Sequence, residues 1–114
     1  MAKSETKDYR NILVIRLDRV GDLICSTPFL RTLRNGLPEA RITLLLRPYT
    51  SHLLKGSNLA DDILLWPEEA EERRATMREI RSRQFDLAVA LSPILQAYRI
   101  ARQSGASERV GYVY

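Results

Sequence analysis

The residues best suited to chemistry stand in one short run, Arg16-Leu17-Asp18-Arg19-Val20-Gly21-Asp22, with Ser26 and Thr27 just beyond it. A carboxylate such as Asp22 can serve as a general base when a hydroxyl lies within hydrogen-bond reach. Gly21, immediately before it, allows a tight turn or a close approach of backbone to ligand. Arg16 and Arg19 flank the run, and guanidinium groups grip phosphate through paired hydrogen bonds. Each feature also has a plain structural reading. An aspartate in a first helical turn simply favours the helix start, beside unpaired N–H groups, and on spacing alone that reading prevails for Asp22. Salt bridges to Asp18 or Asp22 account for the two arginines at least as well. The hydroxyls of Ser26 and Thr27 suit a ligand, or equally the backbone groups freed by Pro28.

Further along, Arg47 and Ser92-Pro93 follow apolar runs and so fall at the same edge as the Asp22 loop. Cys25 reads as a small core residue, because His52, the single histidine, stands far from it in sequence. His52 has polar neighbours and reads as a surface residue. Trp66 and the tyrosines read as packing residues. One cysteine excludes an internal disulfide and a thiolate cluster and fits a reducing compartment. No His, Cys or carboxylate cluster has ligand spacing, so no metal is expected.

The formal net charge of +4 admits an anionic partner or an acidic membrane surface, with simple solubility slightly favoured. The arginines are scattered and no helix-turn-helix, zinc or RNP signature is present, so nucleic acid is not an expected partner. Neither G-x-G-x-x-G nor a Walker A sequence occurs. The polar start of the chain lacks the apolar stretch of a signal peptide, and no apolar run nears the roughly 20 residues that span a bilayer.

The elements that must position these residues follow from periodicity. Ile12–Leu17 is an unbroken apolar run apart from Arg16, the pattern of a central parallel strand covered on both faces. Strands are predicted over Asn11–Leu17, Ile42–Leu46, Ile63–Trp66, Phe85–Leu91 and Arg109–Val113. Helices are predicted from Gly21 to Asn35-Gly36 with a break at Ser26-Thr27-Pro28, over Thr50–Lys55, over Glu68–Gln84 with a thin apolar face of Ala70, Met77 and Ile80, and over Ile94–Ser104. Alternation of this kind implies an α/β fold, a parallel sheet with helices on both faces and right-handed crossovers. The 114 residues suit one domain, with a frayed tail over 1–10 and the domain over 11–114. The loops at the carboxyl ends of the strands are where such sheets place ligands. The fifth strand is an open edge, which natural sheets seldom leave bare, so pairing through that edge is a further expectation.

The pieces Ile12-Leu13-Val14-Ile15-Arg16-Leu17, Val20-Gly21-Asp22-Leu23, Thr27-Pro28-Phe29-Leu30-Arg31-Thr32-Leu33, Leu37-Pro38-Glu39-Ala40-Arg41-Ile42, Leu46-Arg47-Pro48, Phe85-Asp86-Leu87, Ser104-Gly105-Ala106 and Arg109-Val110-Gly111-Tyr112 occur in that order. Together they resemble the amino-terminal half of the family 9 glycosyltransferases, the ADP-heptose:lipopolysaccharide heptosyltransferases. The resemblance departs at Asp18-Arg19, where many members carry small hydroxyl residues. It implies a Rossmann-like three-layer α/β/α fold with a mostly parallel sheet, the incomplete amino-terminal half of a GT-B enzyme. It implies that this half receives the acceptor, the lipopolysaccharide inner core. The donor ADP-heptose would be held mainly by a carboxyl-terminal domain that this sequence does not contain.

The resemblance further makes Asp22 the catalytic base of an inverting transfer, with Gly21 as the close-approach residue. Arg19, Arg47 and Thr27 become substrate contacts. No cofactor beyond the ADP-sugar substrate is implied. A cytoplasmic protein, with peripheral contact at the cytoplasmic face of the inner membrane, is the corresponding expectation. The chain alone is expected to be inactive. A non-catalytic module binding a nucleotide or an acidic glycan is the alternative reading.

Overall fold

The computed structural model describes residues 9–17, 27–48, 60–91 and 94–111. Five strands, β1 (Asn11–Arg16), β2 (Arg41–Leu46), β3 (Asp62–Leu65), β4 (Leu87–Ala90) and β5 (Glu108–Gly111), form one sheet in the order β3-β2-β1-β4-β5. Every pairing is parallel. Among the described residues three helices accompany them: α1 (Thr27–Gly36), α2 (Ala70–Ser82) and α3 (Leu95–Gln103). The α/β class and the layered architecture expected from periodicity are therefore present. The predicted helix start at Gly21, the Thr50–Lys55 helix and the last residues of the fifth strand lie outside the described residues, as do Cys25 and His52.

The unbroken apolar runs make sense once the sheet is in place. Side chains alternate across a strand, so each run feeds two cores. Leu13, Ile15, Leu45, Ala88 and Ala90 face Met77 and Ile80 of α2 and Ala97, Ile100 and Ala101 of α3. Ile12, Val14, Ile42, Leu44, Leu46, Leu87 and Val89 face Leu30 of α1 on the other side. Ile12 to Ile15 are completely buried, and each such side chain contributes about 1.5–3 kcal/mol. This central strand is the fixed element from which the candidate loop departs.

Local chemistry sets the element ends. Pro28 is the second residue of α1, where its missing N–H costs nothing; the residues before α1, on the other side of the predicted break, lie outside the described residues. The fourth strand is shorter than predicted because the Asp86 carboxylate accepts from the Arg10 N–H at 2.9 Å and from the Asn11 N–H. Phe85 is buried all the same. Ala70, assigned to the apolar face of α2, is exposed, leaving Met77 and Ile80 as that face. Gly105 follows α3 with φ +83°, a conformation that favours glycine.

At the amino edge, Asp61 accepts from Arg34 at 2.7 Å and from the Ile42 N–H at 2.8 Å. Asp62 is shared by Arg41 and Arg83. Partial burial pushes the Asp61 carboxyl upward. The Arg34 and Ile42 hydrogen bonds, with the charges of Arg34 and Arg41, outweigh it and hold the group below the usual carboxylate range. Among the described residues no helix is long and apolar enough to cross a membrane.

Candidate functional site

The strand order reverses between β1 and β4. From β1 the chain winds outward to β2 and β3, then returns to place β4 and β5 on the other side. Open α/β sheets bind ligands outside the carboxyl ends of the strands at such a switch point. The exit of β1, where the run toward Gly21-Asp22 begins, lies there.

That exit is held from both sides. The main-chain register between β1 and β4 ends at Ile15 and Ala90, with Leu91 N–H donating to Ile15 O at 2.9 Å. Beyond it, Arg16 Nη1 donates to Leu91 O at 2.5 Å. On the other flank the register ends at Arg16 and Leu46. Beyond that, Arg47 Nε donates to Leu17 O at 2.9 Å. Arg47 also stands 3.9 Å from Glu68, a carboxylate whose side chain is 78% exposed. An exposed pair at that distance adds little.

A second cluster adjoins this one at the exit of β3. Trp66 N–H donates to Leu46 O at 2.7 Å, and the indole is buried. The Arg73 guanidinium lies 5.3 Å from the Trp66 ring centroid and donates through Nε to Pro67 O at 2.6 Å. The Gln96 amide sits beside them. One orientation offers its oxygen to Arg47 Nη2 at 3.5 Å. The other accepts from Trp66 Nε1 and Arg73 Nη1, both at 3.2 Å. Two shorter bonds, one to a buried N–H that needs a partner, favour the second.

At the β4–β5 end of the same edge, Phe29 of α1 closes a small apolar hollow of about 170 Å³ with Val89, Leu91 and Val110. Gly111 belongs to its wall. A side chain there would run into the Tyr98 ring, so this close approach requires glycine. A larger hollow of about 380 Å³, lined by Tyr9, Arg10 and residues 36–40, opens at the amino edge. It lies at the opposite ends of the strands from the switch point, so the smaller, better-placed features define the candidate site.

Of the residues predicted to act, Asp22, Gly21 and Arg19 lie outside the described residues. Thr27 is the first residue of α1 and is partly buried. Arg47 stands at the exit of β2, against the exit of β1. Gln96 and Arg73 went unnoticed in the sequence, because nothing in their spacing links them to Trp66. Among the described residues no three His, Cys, Asp or Glu side chains converge as metal ligands.

No protein-family model matches the chain. A curated protein of Haemophilus influenzae, described as a putative glycosyltransferase, is 26% identical over 101 residues, 87% of this chain and 29% of its own length. Among solved structures, a family 9 glycosyl transferase from Veillonella parvula matches with a TM-score of 0.84 and 24% identity, over 93% of this chain and 33% of its own. The ADP-heptose lipopolysaccharide heptosyltransferase II of E. coli matches with a TM-score of 0.76 and 28% identity, over 89% of this chain and 30% of its own. The chain thus spans about a third of the length of these proteins. They bear out the resemblance read from the sequence: the chain is similar to a family 9 glycosyl transferase, a heptosyltransferase and a putative glycosyltransferase, and its fold is that of part of a GT-B enzyme.

Proposed function

We propose that this chain is the acceptor-side, amino-terminal part of a glycosyltransferase that moves heptose from ADP-heptose to the lipopolysaccharide inner core. The observation that carries the reading is the switch point. The exit of β1, five residues before Asp22, is clamped between β2 and β4 by two arginine–carbonyl bonds, where an α/β sheet places its ligand. The relatedness to a heptosyltransferase supports the choice of donor.

In this reading Asp22 takes the proton from the acceptor hydroxyl. The freed oxygen attacks the anomeric carbon from the face opposite the leaving group. The bond from that carbon to the ADP phosphate oxygen breaks, ADP departs, and the configuration inverts. Gly21 lets the backbone approach the acceptor. Arg19 and Arg47 turn positive charge toward acceptor phosphates or carboxylates, and Thr27 offers a hydroxyl. The donor is held mostly by a second domain, so the chain alone binds acceptor without turnover. No metal or cofactor takes part, and the acceptor's lipid brings the protein to the cytoplasmic face of the inner membrane.

A backbone-amide NMR titration tests this. A phosphorylated inner-core oligosaccharide is expected to shift Gly21 and Asp22, whereas ADP-heptose leaves them unmoved. Shifts with ADP-heptose alone would make the chain a donor-binding half. Silence toward both would refute an acceptor site on this chain, and product from the chain alone would refute the division of labour.

A further inference from the structure

Each flank of β1 ends in the same way. The main-chain ladder stops, and the next rung is made by an arginine side chain. On the β4 side Leu91 N–H donates to Ile15 O, and one step on Arg16 Nη1 donates to Leu91 O. On the β2 side the register closes at Arg16 and Leu46, and one step on Arg47 Nε donates to Leu17 O. Paired strands lie roughly 5 Å apart. An extended arginine spans more than that, so a guanidinium rung can tie two backbones after they begin to diverge. The departing chain is thereby held on both sides at the switch point.

We propose that Arg47 and Arg16 are positioning residues that fix where the chain leaves β1 at Leu17, and that Arg47 does so through its Nε–H on Leu17 O as distinct from its charge. This rests on the proposed function and deepens it, since the run to Asp22 continues from Leu17. The chemistry explains why arginine is needed. The guanidinium is planar and carries a donor at Nε, partway along the side chain, with further donors beyond it. Lysine keeps the charge but carries its donors only at the flexible tip. Substituting lysine therefore removes the rung without removing the charge.

The test compares the wild-type chain with Arg47→Lys and Arg47→Gln, with Arg16→Lys as an independent variant and Arg41→Lys, at the amino edge, as control. Amide spectra and hydrogen exchange are recorded on the free proteins. Each is then titrated with the phosphorylated inner-core oligosaccharide. Both Arg47 variants are expected to displace the Leu17, Gly21 and Asp22 resonances and to speed exchange there about ten-fold, the scale of losing one charge-assisted hydrogen bond.

Amides of Ile12 to Ile15 stay as in wild type, showing that the sheet is intact. Arg47→Lys weakens oligosaccharide binding about ten-fold despite keeping its charge, and Arg47→Gln, which also loses the charge that faces the acceptor, weakens it further. Arg16→Lys disturbs the same resonances, and Arg41→Lys does not. Wild-type spectra and exchange in Arg47→Lys, with only Arg47→Gln affected, would overturn the proposal in favour of charge alone. Wild-type behaviour in both would overturn it outright. A wild-type chain silent to the oligosaccharide would sink the proposed function, while the free-protein exchange would still decide the positioning role.

Discussion

Thr43 is the sharpest test of how this sheet is held together. It sits in the middle of β2, paired in register with Leu13 on one side and Asp62 on the other. It is fully buried on the face it shares with Leu45, and its hydroxyl has no hydrogen-bond partner among the described residues. An unpaired hydroxyl in such a place costs about 1–3 kcal/mol. Thr43→Val keeps the branched shape and β preference, removes that cost and adds a methyl group worth roughly 0.8 kcal/mol. A net gain of about 2–4 kcal/mol follows. For a domain of this size each kcal/mol is about 4 °C in Tm, and the urea midpoint should rise by roughly 1 M with unchanged slope. Thr43→Ser, which keeps the hydroxyl and deletes the methyl, should lose about 1 kcal/mol or more. A lower urea midpoint for Thr43→Val than for wild type would refute the reasoning, since it would mean that the hydroxyl is satisfied in solution.

Two further outcomes follow from the edges of the sheet. Because the Asp61 carboxyl is held below its usual value, the stability it contributes is full above the unfolded pKa, about 4. That contribution is lost as pH falls through the folded value. Urea midpoints should therefore decline below about pH 4, and Asp61→Asn should flatten that part of the decline; an unchanged profile would count against the clamp on Arg34. At the other edge, Gly111→Ala forces the Tyr98 ring aside and should cost about 1–3 kcal/mol. Adding Tyr98→Ala should recover part of that loss in the same denaturation assay, and strict additivity of the two changes would show that they do not touch.

The sequence determined the class of fold because its signals are local. The apolar runs at Ile12–Ile15 and, Thr43 aside, Ile42–Leu46 are continuous, as only strands buried on both faces need to be. Pro28 and Gly105 mark helix ends through backbone constraints that each residue carries by itself. The order of short motifs around Gly21-Asp22 was enough to suggest the family whose solved structures share this fold. Where boundaries shifted, a tertiary partner had intervened: Asp86 gives its carboxylate to the start of β1, and the fourth strand begins at Leu87, two residues later than predicted.

The arrangement of the candidate site was decided only by the folded chain. Nothing local says that Arg47 reaches Leu17, thirty residues earlier, or that Arg16 reaches Leu91, seventy-five residues later. In sequence Arg16 reads as a phosphate grip or a salt-bridge partner of Asp18 or Asp22, and Arg47 as a basic residue at the ligand edge. In the structure each carries a rung between strands, because the order β3-β2-β1-β4-β5 puts distant exits side by side. Gln96, Trp66 and Arg73 likewise become one cluster only through the packing of α2 and α3 against the sheet. Periodicity along a chain reports which face of an element is buried. Which side chains meet at the edge of a sheet depends on strand order, and strand order is a property of the whole chain.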